Sequence, residues 1–303
     1  MTHPIKRLAV SLVLKTHSVA KQALKPFIPE PSYAEQVARA REGTRRGALI
    51  QAEQFKHSDI IWVCFPKSGS TWLEVMLTQY FVERYHVDSI EVRDVHAITR
   101  AMPSLATIVR THDDDIHLKP VDQFETDKSK YRDKRVLFLA RDPRDLLVSY
   151  FFEYTKKKEY LAAGEPPFTG TIDDFVHHHI GGLRSIVRFY NIWAENVAVP
   201  REFHLLTYEK LQADTRGELT RVLRLLDNSA IDPQCVDKAV SFGAFDNMRQ
   251  LEERSAPGLT LNPHVKLGDT EGYKVRKGKV GGYGDYLSPA SVATCDRIID
   301  EEL

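Results

Sequence analysis

Phe65 to Trp72 (FPKSGSTW) groups a lysine, a glycine and several hydroxyls in one short segment, a set suited to holding an anion. Gly69 lets the backbone come close to a ligand, and amides at a helix start, from Gly69 onward, can cradle anionic oxygens. Lys67 adds a cation, and Ser70 and Thr71 add hydroxyls. The segment is not the standard phosphate loop GxxxxGK[ST], in which lysine follows the second glycine. Here Lys67 precedes Gly69. The plain alternative is a glycine-containing turn with a solvated lysine.

Such a loop works only if a strand delivers it to a helix. Ile60 to Phe65 (IIWVCF) is a continuous apolar run rich in β-branched and aromatic residues, as in a buried parallel strand, and it ends at Pro66. Trp72, Val75, Met76, Gln79 and Tyr80 follow at helical spacing. Thr107 to His112 (TIVRTH), Arg135 to Ala140 (RVLFLA) and Phe203 to Tyr208 (FHLLTY) read as further strands, the second feeding a helix from about Leu146. Asp214 can cap a helix whose apolar positions are Leu219, Val222, Leu223 and Leu226.

Strands alternating with helices predict an α/β fold with a central, mainly parallel sheet flanked by helices on both faces. The first fifty residues look helical and polar, with a break at KPFIPEPS. The expected division is an N-terminal helical arm over 1–50 and a main domain over 51–303. Two stretches, Lys156 to Thr171 and Glu253 to Tyr286, read as mobile loops placed to cover a substrate.

Composition excludes several classes. Lys+Arg and Asp+Glu both number 42, so no overall field recruits nucleic acid or an anionic membrane, and anion specificity must be local. A chain of 303 residues with 42% hydrophobic and 28% charged content can bury one large core. Cys64, Cys235 and Cys295 are widely spaced and odd in number. That pattern gives no disulfide framework or zinc spacing and points to a reducing, cytoplasmic compartment. The apolar run Leu8 to Leu14 is interrupted at Lys15 and is far shorter than the ~20 residues of a membrane span. An amphipathic helix or packed arm is the expectation there.

Five segments in order carry a resemblance. FPKSGSTW closely resembles the 5′-phosphosulfate-binding loop of the cytosolic sulfotransferase family, commonly written YPKSGTTW. RDPRDLLVSYF (Arg141 to Phe151) is similar to that family's 3′-phosphate motif, an arginine followed eight positions later by a serine, here Ser149. FHLLTYEKL (Phe203 to Leu211) resembles its strand ending in Tyr-Glu, and SFGAFDNM (Ser241 to Met248) its Phe-x-x-Met segment. VRKGKVGGYGDY (Val275 to Tyr286) resembles its RKGxxGDW segment, with GGYGDY departing from GDW.

The resemblance implies a P-loop-like, three-layer fold and 3′-phosphoadenosine 5′-phosphosulfate (PAPS) as co-substrate, with two separate anionic ends. Lys67, Ser68, Gly69, Ser70 and Thr71 would hold the 5′ end. Arg141, Ser149, Arg276, Lys277 and Gly278 would hold the 3′-phosphate. Trp72, Tyr208 and Phe245 would stack around the adenine, with Met248 from the same segment as Phe245. On the residues alone, Arg141 could instead pair with Asp142 or Asp145 at the surface, Ser149 could be a plain helix residue, and Trp72 and Phe245 could be core.

Sulfuryl transfer is an in-line displacement that needs a base for the incoming hydroxyl and a cation on the leaving oxygen. Lys67 is the cation, and by resemblance it also touches Ser149 before the acceptor arrives. His112 matches the family's catalytic histidine in a Thr-His context, and imidazole suits proton removal near neutrality. The family usually continues Leu-Pro, whereas Asp113, Asp114 and Asp115 follow here. Those carboxylates either raise the imidazole pKa or form a solvated acidic turn. A polar surface histidine is the alternative for His112.

His177, His178 and His179 are consecutive. Adjacent helical side chains point ~100° apart, so a polar helix surface is expected rather than a metal site. Sulfuryl transfer itself calls for no metal. The expected acceptor is a small alcohol, phenol, amine or lipid, shaped by Phe151, the 156–171 stretch and the region before Arg276. The family's KxxxTVxxxE dimer pattern does not occur after Asp285. Two other classes stay open: an ATP-dependent kinase on a related scaffold, and a non-catalytic module that binds the spent nucleotide.

Overall fold

Ile60–Cys64 (β1) is buried at every position, and parallel strands flank it on both sides. Ile61, Val63 and Phe65 enter one core, and Ile60, Trp62 and Cys64 enter the other. A period of two with apolar residues on both faces is what a central strand between two helical layers requires. The computed structural model describes residues 32–87, 93, 95–156, 158–253, 271, 273 and 275–303. It divides into Met1–Ala40 and Arg41–Leu303. Of the first unit only Ser32 and the opening turns of helix α1 (Tyr33–Lys56) are described. The sheet and the site belong to the second.

The sheet continues with β2 (Ile108–Thr111), β3 (Arg135–Ala140) and β4 (Glu202–Thr207) in the order β2-β1-β3-β4, all parallel. Helices α2 (Ser70–Tyr85) and α3 (Val95–Ala101) follow β1, and α4 (Pro143–Lys156) follows β3. Short helices α5 (Tyr160–Ala163) and α6 (Ile172–Phe175) then lead to α7 (Leu183–Glu195). After β4 come α8 (Tyr208–Ala213), α9 (Thr215–Leu226), α10 (Pro233–Phe242), α11 (Phe245–Glu253) and α12 (Pro289–Glu302).

One face of the sheet is covered by α4, α6, α7 and α12, the other by α2, α3, α8, α9 and α10. β1 leads to its neighbour β2, and β3 to its neighbour β4, through helices that cover a face, the condition for parallel pairing, whereas the chain from β2 passes β1 to reach β3. The expected three-layer α/β fold is therefore the observed one. β4 forms an edge, where Leu205 is 51% exposed.

Several boundaries differ from the sequence reading. α4 starts at Pro143 rather than near Leu146, because a proline in the first turn gives up an amide that would lack a partner anyway. Tyr208 is the first residue of α8, not the end of a strand, since Thr207 caps that helix by accepting from the Lys210 amide (3.2 Å). Lys156 to Thr171 is not an open loop. It contains α5, with Tyr160 buried in the core. Most of the second expected loop, Glu253 to Tyr286, lies outside the described residues.

His177 to His179 do not form a helix surface. They lie beyond the end of α6, and His178 packs between Phe168 and Phe175 (ring centroids 5.0 and 5.1 Å). Burial there pushes the His178 imidazole below its ordinary pKa. No group of three or more metal-ligating side chains occurs among the described residues. No described helix is long and apolar enough to cross a membrane.

The cap on α9 is testable. Asp214 Oδ1 accepts from the Gly217 amide at 2.8 Å, and the buried stripe Leu219, Val222, Leu223 and Leu226 then faces the sheet. Asp214→Ala is expected to cost about 1 kcal/mol, read as a lower urea midpoint with an unchanged slope.

Candidate functional site

Parallel pairing brings the C-terminal ends of all four strands to one edge of the sheet. β1 runs out into Phe65, Pro66 and Lys67, β2 into His112, β3 into Arg141 and β4 into Tyr208. A cavity of about 510 Å³ opens there. Lys67, Gly69, Ser70, Thr71 and Trp72 line it from the first loop. Arg141 and Ser149 line it from the end of β3 and from α4, and Tyr208, Phe245 and Met248 from α8 and α11. Arg276, Lys277 and Gly278 reach it from the C-terminal segment, and His112 from the end of β2. Ser68 stays out: it is buried, and its hydroxyl donates to the Phe65 carbonyl at 2.8 Å.

The first loop turns through two left-handed residues, Lys67 (φ 74°) and Gly69 (φ 97°), before α2 begins at Ser70. A Cβ on Gly69 would lie 2.5 Å from Cδ2 of Tyr208, so glycine is required by its φ and by the ring beside it. Tyr208 in turn stacks with Arg141, whose guanidinium carbon is 4.4 Å from the ring centroid. Arg141 Nη1 donates to the Lys67 carbonyl (3.2 Å). The Tyr190 hydroxyl holds the Arg141 backbone, accepting from its amide (2.9 Å) and donating to its carbonyl (2.8 Å). Arg141 Nε is buried and has no hydrogen-bond partner among the described residues. A buried, unmatched donor at the edge of an anion-sized cavity is the feature a phosphate oxygen would satisfy.

Asp142 pairs with Arg144 rather than with Arg141 (2.7 Å). Asp145 lies 3.9 Å from Arg141, yet its stronger partners are backbone amides. Its two oxygens accept from Gly281 (2.8 Å) and Tyr283 (2.9 Å). This buried carboxylate therefore anchors the segment that carries Arg276, Lys277 and Gly278. The Arg276 guanidinium lies over the Phe152 and Tyr286 rings (4.7 and 4.6 Å). Gly278 (φ 59°) brings its backbone so close to Phe245 that a Cβ would meet the ring at 2.9 Å.

Trp72 Nε1 donates to the Gly243 carbonyl (2.8 Å), and its ring meets Tyr208 edge-on at 5.8 Å. Phe245 is 43% exposed, and Met248 is buried against Val75 and Leu251. Thus Met248 is as much core as lining. Three aromatic rings with a Gly243–Ala244 backbone between them form a slot for a flat group.

Lys67 does not meet Ser149. Its Nζ is 3.0 Å from Glu153, one helical turn further along α4, in a largely buried ion pair. Across the cavity, His112 Nδ1 is 2.8 Å from the Cys64 carbonyl, which can only accept. That bond assigns the proton to Nδ1 and the basic lone pair to Nε2.

The acidic turn after His112 is solvated only in part: Asp114 is exposed, Asp115 half-buried and Asp113 buried. Asp113, Asp114 and Asp115 are all left-handed (φ 52°, 63° and 55°), a conformation aspartate tolerates better than most residues. Asp113 turns into the core, where it pairs with Lys128 at 2.7 Å, both side chains fully buried. It also accepts from the Tyr131 hydroxyl (2.8 Å) and Trp193 Nε1 (3.0 Å). Asp114 pairs with Lys130.

Among the cavity residues that escaped the sequence reading in whole or in part, Arg110, Glu153, Asp145 and His117 bear most on the site. Arg110 lies two positions before His112 on β2, donates to Ser70 (3.2 Å) and pairs with Glu74 (3.3 Å). The strand period of two was its available signal. Glu153 follows Ser149 by one helical turn, so the helical period was its signal. Asp145 was visible only as a partner for Arg141, and its amide contacts are long-range. His117, 5.3 Å from the His112 ring and kept neutral chiefly by burial, had no sequence signal at all.

Comparison with known proteins gives the family and the fold. The model of the sulfotransferase domain matches residues 57–303. The chain is 25% identical over 276 residues to cytosolic sulfotransferase 12 of Arabidopsis thaliana, covering 85% of this chain and 81% of that protein. It is 26% identical over 258 residues to a 3-alpha-hydroxysteroid sulfotransferase of Cavia porcellus, covering 82% and 84%. An amine sulfotransferase of Oryctolagus cuniculus is 23% identical over 262 residues, with 82% of each covered. Among solved structures, mouse sulfotransferase SULT7A1 complexed with PAP superposes with a TM-score of 0.53 at 19% identity, covering 81% of this chain and 84% of that one. Retinol dehydratase in a complex with retinol and PAP gives 0.54 at 16% identity, covering 82% and 81%. These two likenesses speak to the fold.

The buried pair next to His112 generates a stability prediction. Asp113→Asn leaves Lys128 as an uncompensated buried charge and is expected to cost about 3–5 kcal/mol in chemical denaturation. Adding Lys128→Met should restore part of that loss. A cost below about 1 kcal/mol for the single substitution would contradict the assignment.

Proposed function

The chain belongs to the sulfotransferase domain family, and from that premise we propose that it transfers the sulfuryl group of PAPS to a hydroxyl or amine by in-line displacement. The observation that carries the reading is that Lys67 and His112, delivered by different strands, line one cavity with the cations Arg141, Arg276 and Lys277. When bound, PAPS supplies the sulfuryl group, and its adenosine bisphosphate portion, PAP, departs. The amides from Gly69 onward, with Ser70 and Thr71, hold the 5′ end. Arg141, with its unmatched Nε, and Arg276 and Lys277 with Ser149 hold the 3′-phosphate. The slot between Trp72, Tyr208 and Phe245 takes the adenine.

His112 Nε2 removes the acceptor proton as the acceptor oxygen bonds to sulfur, and Lys67 meets the charge that builds on the leaving oxygen. The Cys64 carbonyl keeps the imidazole in the tautomer that can do so. Lys67 leaves Glu153 to reach that oxygen, so the ion pair is a resting position for the cation. The three free, buried thiols and the name of the plant relative support a cytoplasmic place of action.

Two outcomes test this reading. His112→Ala is expected to bind PAP as the parent does in calorimetry but to lose about 100-fold or more in transfer from radiolabelled PAPS. Equal turnover in the variant would remove His112 from the role of base, PAP binding by a parent that transfers nothing would favour the module reading, and tighter binding of ATP than of PAP the kinase reading. Glu153→Gln removes the carboxylate that competes for Lys67 and should tighten PAP binding by about threefold to tenfold. Weaker binding would show that Glu153 is needed to aim the lysine.

A further inference from the structure

A second cavity, about 310 Å³, lies between α1 and the turn after β2 and shares His112, His117 and Glu159 with the first. Its polar wall is Thr44, Gln51, Asp115 and those three residues. Leu118 is the largest apolar side chain in its lining, beside Gly47, Ala48 and Ala162. No lysine or arginine lines it among the described residues. The charge therefore reverses across His112: cations dominate the first cavity, and carboxylates are the charged groups of the second.

Two of its side chains have polar atoms without a hydrogen-bond partner among the described residues, the Asp115 carboxylate and His117 Nδ1. The Asp115 carboxylate makes no hydrogen bond or ion pair among the described residues, although a left-handed backbone holds it at the cavity. Its neighbours in charge are Lys119 and Asp114, and burial is the main influence, pushing its carboxyl pKa up. His117 is only 6% exposed, lines both cavities, and its Nδ1 has no hydrogen-bond partner. Desolvated, unmatched groups of this kind are costly unless a ligand completes them. A sterol or phenol has no cation to set against the Asp115 carboxylate.

We propose that the acceptor enters through this second cavity and is a small hydroxyl compound carrying an ammonium group. Asp115 and Glu159 face the cation, and the hydroxyl meets His112 Nε2 with His117 beside it. The O–H bond breaks as the proton passes to His112, the new O–S bond forms, and the S–O bond to the donor breaks with PAP leaving. This rests on the sulfuryl-transfer reading and narrows its acceptor.

The test uses the full chain with radiolabelled PAPS and three acceptors: choline, its uncharged isostere dimethylbutanol, and naphthol. The expected result is a kcat/KM for choline at least about tenfold above dimethylbutanol. Asp115→Asn should erase most of that preference with PAP affinity unchanged, since asparagine keeps the left-handed turn. Glu159→Gln is the second variant, and thermal melts of both check folding. Equal rates for choline and dimethylbutanol, transfer to naphthol alone, or a preference that survives both substitutions overturns the acceptor inference while leaving sulfuryl transfer standing. PAP binding without transfer to any of the three also overturns it. Failure of PAP to bind at all strikes the underlying function instead.

Discussion

Parallel pairing is the constraint on which the site depends. Because Val63 is in register with Thr111, Cys64 with Leu139 and Ala140 with Thr207, the four strands end along one edge. The residue that follows each end is then a neighbour of the others, whatever its distance in sequence. Lys67, His112, Arg141 and Tyr208 meet for that reason alone. The pairing persists because both faces of β1 are buried, and a one-residue slip would exchange the two cores. Catalytic geometry and core packing are thus set by the same register.

Within that edge, the carboxylates are as informative as the cations. Asp145 is held by the Gly281 and Tyr283 amides and fixes the closing segment. Glu153 holds Lys67 without entering the anion sites. Both lower the local positive charge, so the cavity is not a bare sink for anions. The cations that remain are spread along the cavity, with Arg141 tied to the first loop through the Lys67 carbonyl.

The strands and α9 were legible because short apolar runs and an i, i+3, i+4, i+7 stripe follow directly from burial on the sheet. The phosphate loop was legible because Gly69 has a backbone reason to be glycine. Tyr208 was misread as strand because a cap at Thr207 depends on backbone direction, which an apolar run does not report. His178 was misread because its partner Phe168 lies ten residues away, across the α6 turn. Asp145 acquires its role only through amides in a distant segment, so no local pattern could assign it, whereas the helical period from Ser149 could have pointed to Glu153.

The aspartate run after His112 shows how a local oddity becomes a structural device. A Leu-Pro continuation would carry the chain onward, whereas three left-handed residues turn it sharply at the strand end. Asp113 anchors the turn through Lys128, Tyr131 and Trp193, and its amide donates to Thr111 Oγ1 (3.0 Å). The imidazole is held by the Cys64 carbonyl at Nδ1, and the backbone that follows it is held by the buried carboxylate one residue on. The same turn swings Asp115 to the second cavity. One backbone solution thereby ties the placement of the His112 imidazole to the charge of the second cavity.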